Sequence, residues 1–170
     1  HLGYAAVFSI LNRKIDKLDE PLVDAAFEHF GVSSLAELHA YASENSKRDG
    51  RTMLKHYGRF APRVTEYAAE GSPIAQYVCK CAAEEVAQAI ALVAPRKSRE
   101  NCVKVVLHGG VNNCNYFRSI IVRLLMTEFA QRFDVVEAIM PPVAGAVLLA
   151  SAQTKQCKPE ICLLYTSPSP

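Results

Sequence analysis

The spacing of apolar residues divides the chain into a helical first part and a second part in which helices alternate with short strands. In the first part, apolar residues recur every three or four positions, which is the period of a helix that buries one face. This period predicts helices over residues 5–19, 21–30, 35–42, 60–70 and 73–94.

Residues with special backbone preferences mark where several of these helices begin and end. Ser34-Leu35-Ala36-Glu37 has the spacing of a capping box, and Gly71-Ser72-Pro73 ends one helix and starts the next. Pro62 is predicted to interrupt the fourth helix early. The polar segment 43–51 predicts a loop, and the pattern of 53–57 is ambiguous.

The apolar period changes in the second part of the chain. The run 103–107 is rich in β-branched residues and bounded by loop residues, which predicts a buried strand, and 133–138 is predicted to be a second short strand. Between them Asn113 or Cys114 is predicted to lead into a helix, and a helix of small residues over 143–152 follows a pair of prolines. Strands that alternate with helices predict an α/β fold with parallel strand pairing.

The composition fits one domain with a substantial core. The chain has 170 residues, half of them hydrophobic, and a formal net charge of +2 with both signs scattered along it. A disordered segment would be poorer in apolar residues, and a nucleic-acid partner would require clustered lysine and arginine. No apolar run reaches the roughly 18 residues that predict a membrane span.

The cysteines match no zinc-binding spacing, because no two of them are separated by two residues. We expect free thiols rather than a disulfide framework, and therefore a reducing, cytoplasmic compartment. The six residues are Cys79, Cys81, Cys102, Cys114, Cys157 and Cys162.

The two ends of the sequence carry expectations of their own. The chain starts at His1 and runs directly into an apolar segment, so we expect that preceding sequence is missing. The final residues resemble translated sequencing-adapter sequence, and a natural tail rich in serine and proline is the alternative. We expect residues 1–152 to form the folded domain and residues 153–170 to be a disordered or artefactual tail.

The strand predicted to end at Leu107 is followed by His108-Gly109-Gly110 and then by a helix. In open α/β sheets, ligands bind beyond the carboxyl ends of the strands, and glycine lets a ligand approach the backbone closely. The next helix offers free N–H groups and the positive end of its dipole, which suit a phosphate. The segment is neither a Rossmann fingerprint nor a P-loop, so a packing turn without a ligand is the alternative.

Four segments of the chain carry a family resemblance together. They are Gly3-Tyr4, Phe60-Ala61-Pro62 with residues 69–75, Leu107-His108-Gly109-Gly110-Val111, and residues 141–150. In this order they resemble the second domain of N-acetylglucosamine kinases and of the related BadF/BadG/BcrA/BcrD-type ATPases, in the sugar kinase, Hsp70 and actin superfamily. The resemblance covers residues 3–152, although Ser72 stands where the family often has aspartate.

The resemblance implies a ribonuclease H-like fold of the actin and sugar-kinase ATPase type, with this chain as its C-terminal half and a helical first part. It implies ATP-dependent phosphorylation of an amino sugar, N-acetyl-D-glucosamine first, to its 6-phosphate, with ATP and Mg²⁺ as cofactors. The family's catalytic aspartate, Asp-x-Gly-x-Thr phosphate turn and most sugar-binding residues lie in the first domain, and none is present here. The chain alone is therefore expected to bind nucleotide weakly and to catalyse nothing.

The resemblance also implies which residues of this chain contact the nucleotide. They are Gly109, Gly110, Asn113, Cys114, Phe60, Ala61, Ala144 and Gly145. Gly109 and Gly110 would contact the adenosine and α-phosphate, and Asn113 and Cys114 would flank the nucleotide. Phe60 and Ala61 in the fourth predicted helix would approach the adenine, and Ala144 and Gly145 in the last helix would lie behind the site. No metal ligand, nucleic acid or membrane is implied, and a homodimer is left open.

Two other functions remain open from the sequence. One keeps the fold but makes the protein an ATPase activator of a 2-hydroxyacyl-CoA dehydratase, a type that holds an iron–sulfur cluster between subunits. Cys102 and Cys114 are present, but they form no cysteine motif like that of the activators. The other function is a non-catalytic helical interaction domain with an incidental glycine turn. The small-residue helix after Pro141-Pro142 argues against it, because a bundle helix would carry larger core residues.

Overall fold

A computed structural model describes residues 2–45, 50–94, 102–129 and 132–154. The chain divides into two compact units, His1–Val135 and Val136–Pro170. In the first unit, the α-helices are α1 Leu2–Asn12, α2 Glu20–Phe30, α3 Leu35–Asn45, α4 Gly50–Glu70, α5 Pro73–Val93 and α6 Asn115–Thr127, and the first strand is β1 Val103–Val106. Short 3₁₀ helices lie at Lys17–Asp19 and Gly110–Asn113.

The first helix is shorter than the predicted range of 5–19. α1 ends at Asn12, whose side-chain amide donates to the Phe8 carbonyl at 2.8 Å. Farther along, the Asp16 carboxylate accepts from the Leu18 backbone N–H at 3.1 Å, and the Asp19 carboxylate accepts from the Asp16 N–H at 3.0 Å. These local bonds give the backbone a partner other than a continuing helix, so the chain turns here.

The predicted capping box at the start of α3 is present. The Glu37 backbone N–H donates to the Ser34 hydroxyl at 3.2 Å, and the Glu37 carboxylate accepts from the Ser33 N–H at 2.7 Å. The loop predicted over 43–51 is partly wrong, because α3 extends to Asn45 and α4 begins at Gly50. Residues 46–49 of that prediction lie outside the described part of the chain.

α4 runs through Pro62 without a break, so the predicted interruption is wrong, and 53–57 is helical as well. Phe60 and Val64, on either side of the proline, are fully buried. Burying two such side chains contributes roughly 1.5–3 kcal/mol each, which offsets the cost of about 3 kcal/mol for proline inside a helix. The Thr65 hydroxyl also donates to the Pro62 carbonyl at 2.8 Å. Tertiary packing therefore decides the conformation here.

α1 crosses α4 at unusually close range at Gly3. A β-carbon placed on Gly3 would overlap the backbone carbonyl of Tyr57 and lie 3.3 Å from the Phe60 β-carbon. Gly3 is itself buried, and α1 packs against α4 and α5. Only a residue without a side chain permits this approach of the two backbones.

A buried carboxylate joins the end of the first 3₁₀ helix to the start of α5. Asp19 is 1% exposed, and its carboxylate accepts from the Ser72 hydroxyl at 2.6 Å and from the Ile74 N–H at 2.9 Å. The Ser72 hydroxyl in turn accepts from the Ala75 N–H at 3.2 Å, which confirms the predicted cap of this helix. The buried charge is therefore surrounded by donors, as burial requires.

Aromatic rings fill the space between α2, α3 and α4. The Phe30 ring centroid lies 5.2–5.4 Å from those of Tyr41, Tyr57 and Phe60. The Tyr57 hydroxyl is buried and has no hydrogen-bond partner among the described residues. Burial raises the pKa of Tyr57, and the neighbouring Tyr41 and Tyr4 raise it further.

We expect Tyr57→Phe to increase the free energy of unfolding by about 1 kcal/mol at pH 7, because it removes a buried hydroxyl that has no partner. Since the pKa of Tyr57 is higher in the folded protein than the unfolded value of 10.0, the stability that its protonated form contributes is present in full below pH 10 and is lost above it. The variant should therefore gain more at pH 11 than at pH 7. Urea unfolding followed by circular dichroism measures both, with the half-exposed Tyr77→Phe as control. A less stable Tyr57→Phe would show that the hydroxyl has a partner.

The strands form one small sheet. β1 pairs with β2, Phe133–Val136, in parallel, and the Val103 N–H donates to the Arg132 carbonyl at 2.9 Å next to the strand starts. α6 connects the two strands, so the predicted strand–helix–strand order and parallel pairing are confirmed. β1 and β2 are one and two residues shorter than their predicted ranges. The prediction that the first strand is buried is wrong, because the residues of β1 alternate between half-buried and exposed.

The second unit contains α7, Pro142–Thr154. The Ala144 and Gly145 N–H groups donate to the Pro141 carbonyl at 3.0 and 3.3 Å, which closes the first turn of this helix. The helix predicted over 143–152 is therefore present. The domain boundary predicted after residue 152 falls inside α7, and residues 155–170 of the predicted tail lie outside the described residues.

Candidate functional site

The segment after β1 forms an exposed turn. His108, Gly109 and Gly110 are all exposed, and Gly109 has φ +120° and ψ 158°, a backbone conformation that residues with side chains rarely adopt. Gly109 is therefore required by the shape of the turn itself. Gly110 has no positive φ, so the backbone does not demand glycine there.

Open space surrounds both glycines of the turn. A β-carbon placed on Gly109 or Gly110 would meet no other atom within 4 Å. At Gly3, by contrast, the backbone of Tyr57 fills the space that a β-carbon would need. Packing therefore explains the glycine at position 3 but not the glycine at position 110, and the space beside Gly110 is available to a ligand.

The turn leads into the 3₁₀ helix Gly110–Asn113 rather than directly into a long helix. Cys114 is the N-cap of α6, whose first residue is Asn115, so the prediction that Asn113 or Cys114 leads into a helix is confirmed. The Cys114 side chain provides no cap, because its sulfur donates instead to the Thr65 carbonyl of α4 at 3.4 Å. No side chain of the N-cap therefore occupies the first N–H groups of α6, which leaves them for solvent or an anion.

The contact between Cys114 and Thr65 brings the turn beside α4. Phe60 and Ala61, predicted to approach the adenine, lie one helical turn before Thr65. Both are buried, and the Phe60 ring packs 5.2 Å from the His29 ring and 5.4 Å from the Phe30 ring. The structure thus places their helix beside the turn, while the Phe60 side chain itself belongs to the core.

The other residues predicted to contact the nucleotide are Asn113, Ala144 and Gly145. Asn113 ends the 3₁₀ helix, but its side chain lies outside the described part of the structure. Ala144 and Gly145 belong to the second unit, where Ala144 is buried and a β-carbon on Gly145 would meet open space.

The described cysteines form no disulfide with one another, and no group of three metal-ligating side chains occurs among the residues that the structure describes. Burial raises the pKa of Cys79 to about 12, and the nearby Cys114 adds to the shift. A thiol with this pKa stays protonated and poorly nucleophilic at neutral pH. Cys157 and Cys162 lie outside the described residues.

A surface groove beside the turn was missed by the sequence analysis. It has a volume of about 760 Å³ and lies between α1, α5, the start of α6 and Val111, the residue after Gly110. Phe8 and Tyr77, which the apolar period assigns to the buried faces of α1 and α5, line it and are 57% and 44% exposed. The helical period identifies apolar residues but does not distinguish a covered face from an open one.

Comparisons with known protein families, with curated proteins and with solved structures found no match to this chain. Among the helices that the structure describes, none is long and apolar enough to cross a bilayer.

Proposed function

We propose that this chain forms the nucleotide-binding side of an ATP-dependent kinase that phosphorylates an amino sugar, N-acetyl-D-glucosamine first, as the family resemblance implies. The observation that supports the proposal best is the space beside Gly110. A glycine at an exposed turn, with ordinary backbone angles and nothing near its missing β-carbon, has a reason to be glycine if a ligand lies against it.

The donors near the turn suit a phosphate group. The N–H groups at the start of α6 have no side-chain cap from Cys114, and the first turn of α6 contains no acidic residue that would repel an anion. The turn also follows the carboxyl end of a parallel strand, where ligands of open α/β sheets bind. In this proposal, the backbone of Gly109 and Gly110 contacts the adenosine and α-phosphate.

The same donors fit Mg²⁺ poorly, because backbone N–H groups cannot coordinate a cation. Mg²⁺ prefers oxygen ligands and is commonly held by substrate phosphates with one or two carboxylates. No cluster of three His, Cys, Asp or Glu side chains exists in the described ranges to form a site of its own. The described residues therefore form no Mg²⁺ site, and the metal would be held by the phosphates of the nucleotide.

The chain alone should bind nucleotide without transferring phosphate. Phosphoryl transfer requires an oriented nucleophile as well as neutralised phosphates, and the sequence contains no Asp-x-Gly-x-Thr turn. The residues described here would hold the nucleotide, while the residue that activates the sugar hydroxyl would come from a partner domain.

We expect Gly110→Val to weaken Mg-ADP binding by at least about tenfold, because the side chain would fill the space assigned to the ligand. The fold should be unchanged, since the β-carbon would have no other atom within 4 Å and Gly110 has no positive φ. Isothermal titration calorimetry measures the affinity, and circular dichroism checks the fold. Gly58→Ala, at an exposed helical glycine with equally open surroundings, is the control. Equal ADP affinity in a folded Gly110→Val variant would contradict the nucleotide site.

The kinase part of the proposal is tested by joining the chain to a domain that carries the Asp-x-Gly-x-Thr turn and following ADP release. Release that requires N-acetyl-D-glucosamine supports the kinase. Release that is the same without any sugar would contradict it and favour the ATPase activator.

A further inference from the structure

The groove beside the turn has the form of a small-molecule site. Its floor consists of core side chains, including Val78 and Phe117, and its rim carries the exposed rings of Phe8 and Tyr77. A volume of about 760 Å³ lies within the range of about 300–1,000 Å³ that is usual for small-molecule pockets. Apolar walls with aromatic rims are also the usual lining of such sites.

One buried polar group in the groove has no partner. Ser9 of α1 is 6% exposed and lines the groove. Its hydroxyl makes no hydrogen bond with any residue in the described ranges, not even with the preceding helical turn. It also keeps some accessible surface, since it is not among the fully enclosed atoms that lack a partner. Because Ser9 lines the groove, its accessible hydroxyl can donate to or accept from the polar edge of a ligand there.

The aromatic rim indicates the shape of that ligand. The Arg13 guanidinium, a planar group, already stacks on the Tyr77 ring with its carbon 3.5 Å from the ring centroid. Phe8 offers a second exposed ring on α1, across from α5. Flat groups stack on such rings, whereas a chain-like or strongly hydrated ligand would leave the ring faces unused.

We propose that this groove binds a planar aromatic heterocycle, with its ring system against Phe8 and Tyr77 and its polar edge bonded to the Ser9 hydroxyl. Two sources share this chemistry. One is the base of the nucleotide assigned to the turn, since Val111 directly follows Gly110 and lines the groove, and this source depends on the proposed function. The other is a free heterocycle that has no phosphate, which does not depend on it.

The probe for the test is adenosine, which has a planar base and no phosphate, titrated into the whole chain by calorimetry. We expect Phe8→Ala to weaken adenosine binding by about tenfold and Ser9→Ala by about fivefold, as the loss of one ring contact or one hydrogen bond implies. Phe8 is largely exposed, so its replacement should leave the fold intact. Leu92→Ala, at an 85% exposed apolar residue of α5 outside the groove, is the control.

The inference would be overturned if adenosine failed to bind at millimolar concentration. It would also be overturned if Phe8→Ala and Ser9→Ala bound adenosine as tightly as wild type. Binding of ADP separates the two sources. If Gly110→Val weakens ADP, and Phe8→Ala weakens both ADP and adenosine, the heterocycle is the base of the nucleotide. If Phe8→Ala weakens adenosine while Gly110→Val leaves ADP unchanged, the groove stands and the nucleotide turn does not. If Gly110→Val weakens ADP and Phe8→Ala changes neither ligand, the turn stands and the groove inference fails.

Discussion

Gly3→Ala is expected to lower the free energy of unfolding by about 3 kcal/mol, at the upper end of the usual cost of overpacking. The added methyl group would overlap the Tyr57 carbonyl, which is backbone and cannot rotate away as a flexible side chain would. α1 must therefore move away from α4, and the contacts of Leu2, Ala6 and Val7 on the buried face of α1 would loosen with it. Chemical denaturation followed by circular dichroism at neutral pH measures the loss.

Gly58→Ala is the matched control, because Gly58 is also helical but a β-carbon there meets open space. Alanine in a helix interior is about 1 kcal/mol more favourable than glycine, so this variant should be as stable as wild type or more so. The same propensity gain applies to Gly3→Ala, so the difference between the two variants isolates the steric term. A Gly3→Ala protein as stable as Gly58→Ala would show that α1 and α4 are not this close.

Asp19→Ala is expected to cost about 3 kcal/mol of stability. The change removes the acceptor of the Ser72 hydroxyl and of the Ile74 and Asp16 N–H groups, and the first two of these bonds are buried. A buried donor left without a partner costs roughly 1–3 kcal/mol, which makes the loss larger than that of an ordinary surface substitution. Thermal and urea unfolding at pH 7 measure the loss.

The conservative variant Asp19→Asn separates the roles of the carboxylate oxygens. Its carbonyl oxygen still accepts from Ser72 and Ile74, but its amide donates where Asp16 N–H needs an acceptor. We expect an intermediate loss. A double-mutant cycle with Ser72→Ala should give a coupling energy of at least about 1 kcal/mol, because the two side chains are directly bonded. Additive effects, or an Asp19→Ala variant as stable as wild type, would contradict the buried network.

Helix boundaries marked by side-chain chemistry were predictable from the sequence. Ser72 and Pro73 start α5 as predicted, and the spacing of Ser34 and Glu37 locates the start of α3. In each case the residue acts on its own backbone within one turn, so no distant part of the chain is needed to know the outcome. The strand after residue 102 was predictable for a similar reason, since its β-branched run is bounded on both sides.

Boundaries that depend on distant packing were not predictable. Pro62 lies inside α4 because Phe60 and Val64 are anchored in a core assembled from other helices. The end of α1 at Asn12 depends in part on Asp19, which is engaged by residues more than fifty positions later in the chain. Single-sequence patterns contain neither contact.

Some features of the candidate site were also predictable from the sequence, and others were not. The glycine turn after β1 was predictable because two adjacent glycines follow an apolar, β-branched run. The burial of Phe60 and the open groove along Phe8 and Tyr77 were not, since a helical period does not tell which apolar face another element covers. The sequence thus identified where a phosphate could lie, and the structure added the adjoining groove.

The Asp19 carboxylate also has a topological consequence. One oxygen accepts from the backbone of the turn after α1, and the other accepts from the Ser72 hydroxyl and the Ile74 N–H of α5, so a single side chain anchors two helix starts. The chain between these two helix starts, including α2, α3 and α4, forms one loop that the hydrogen bonds of Asp19 close. Fraying at either start releases the other, so this segment should behave as a single cooperative folding unit rather than as separate helices.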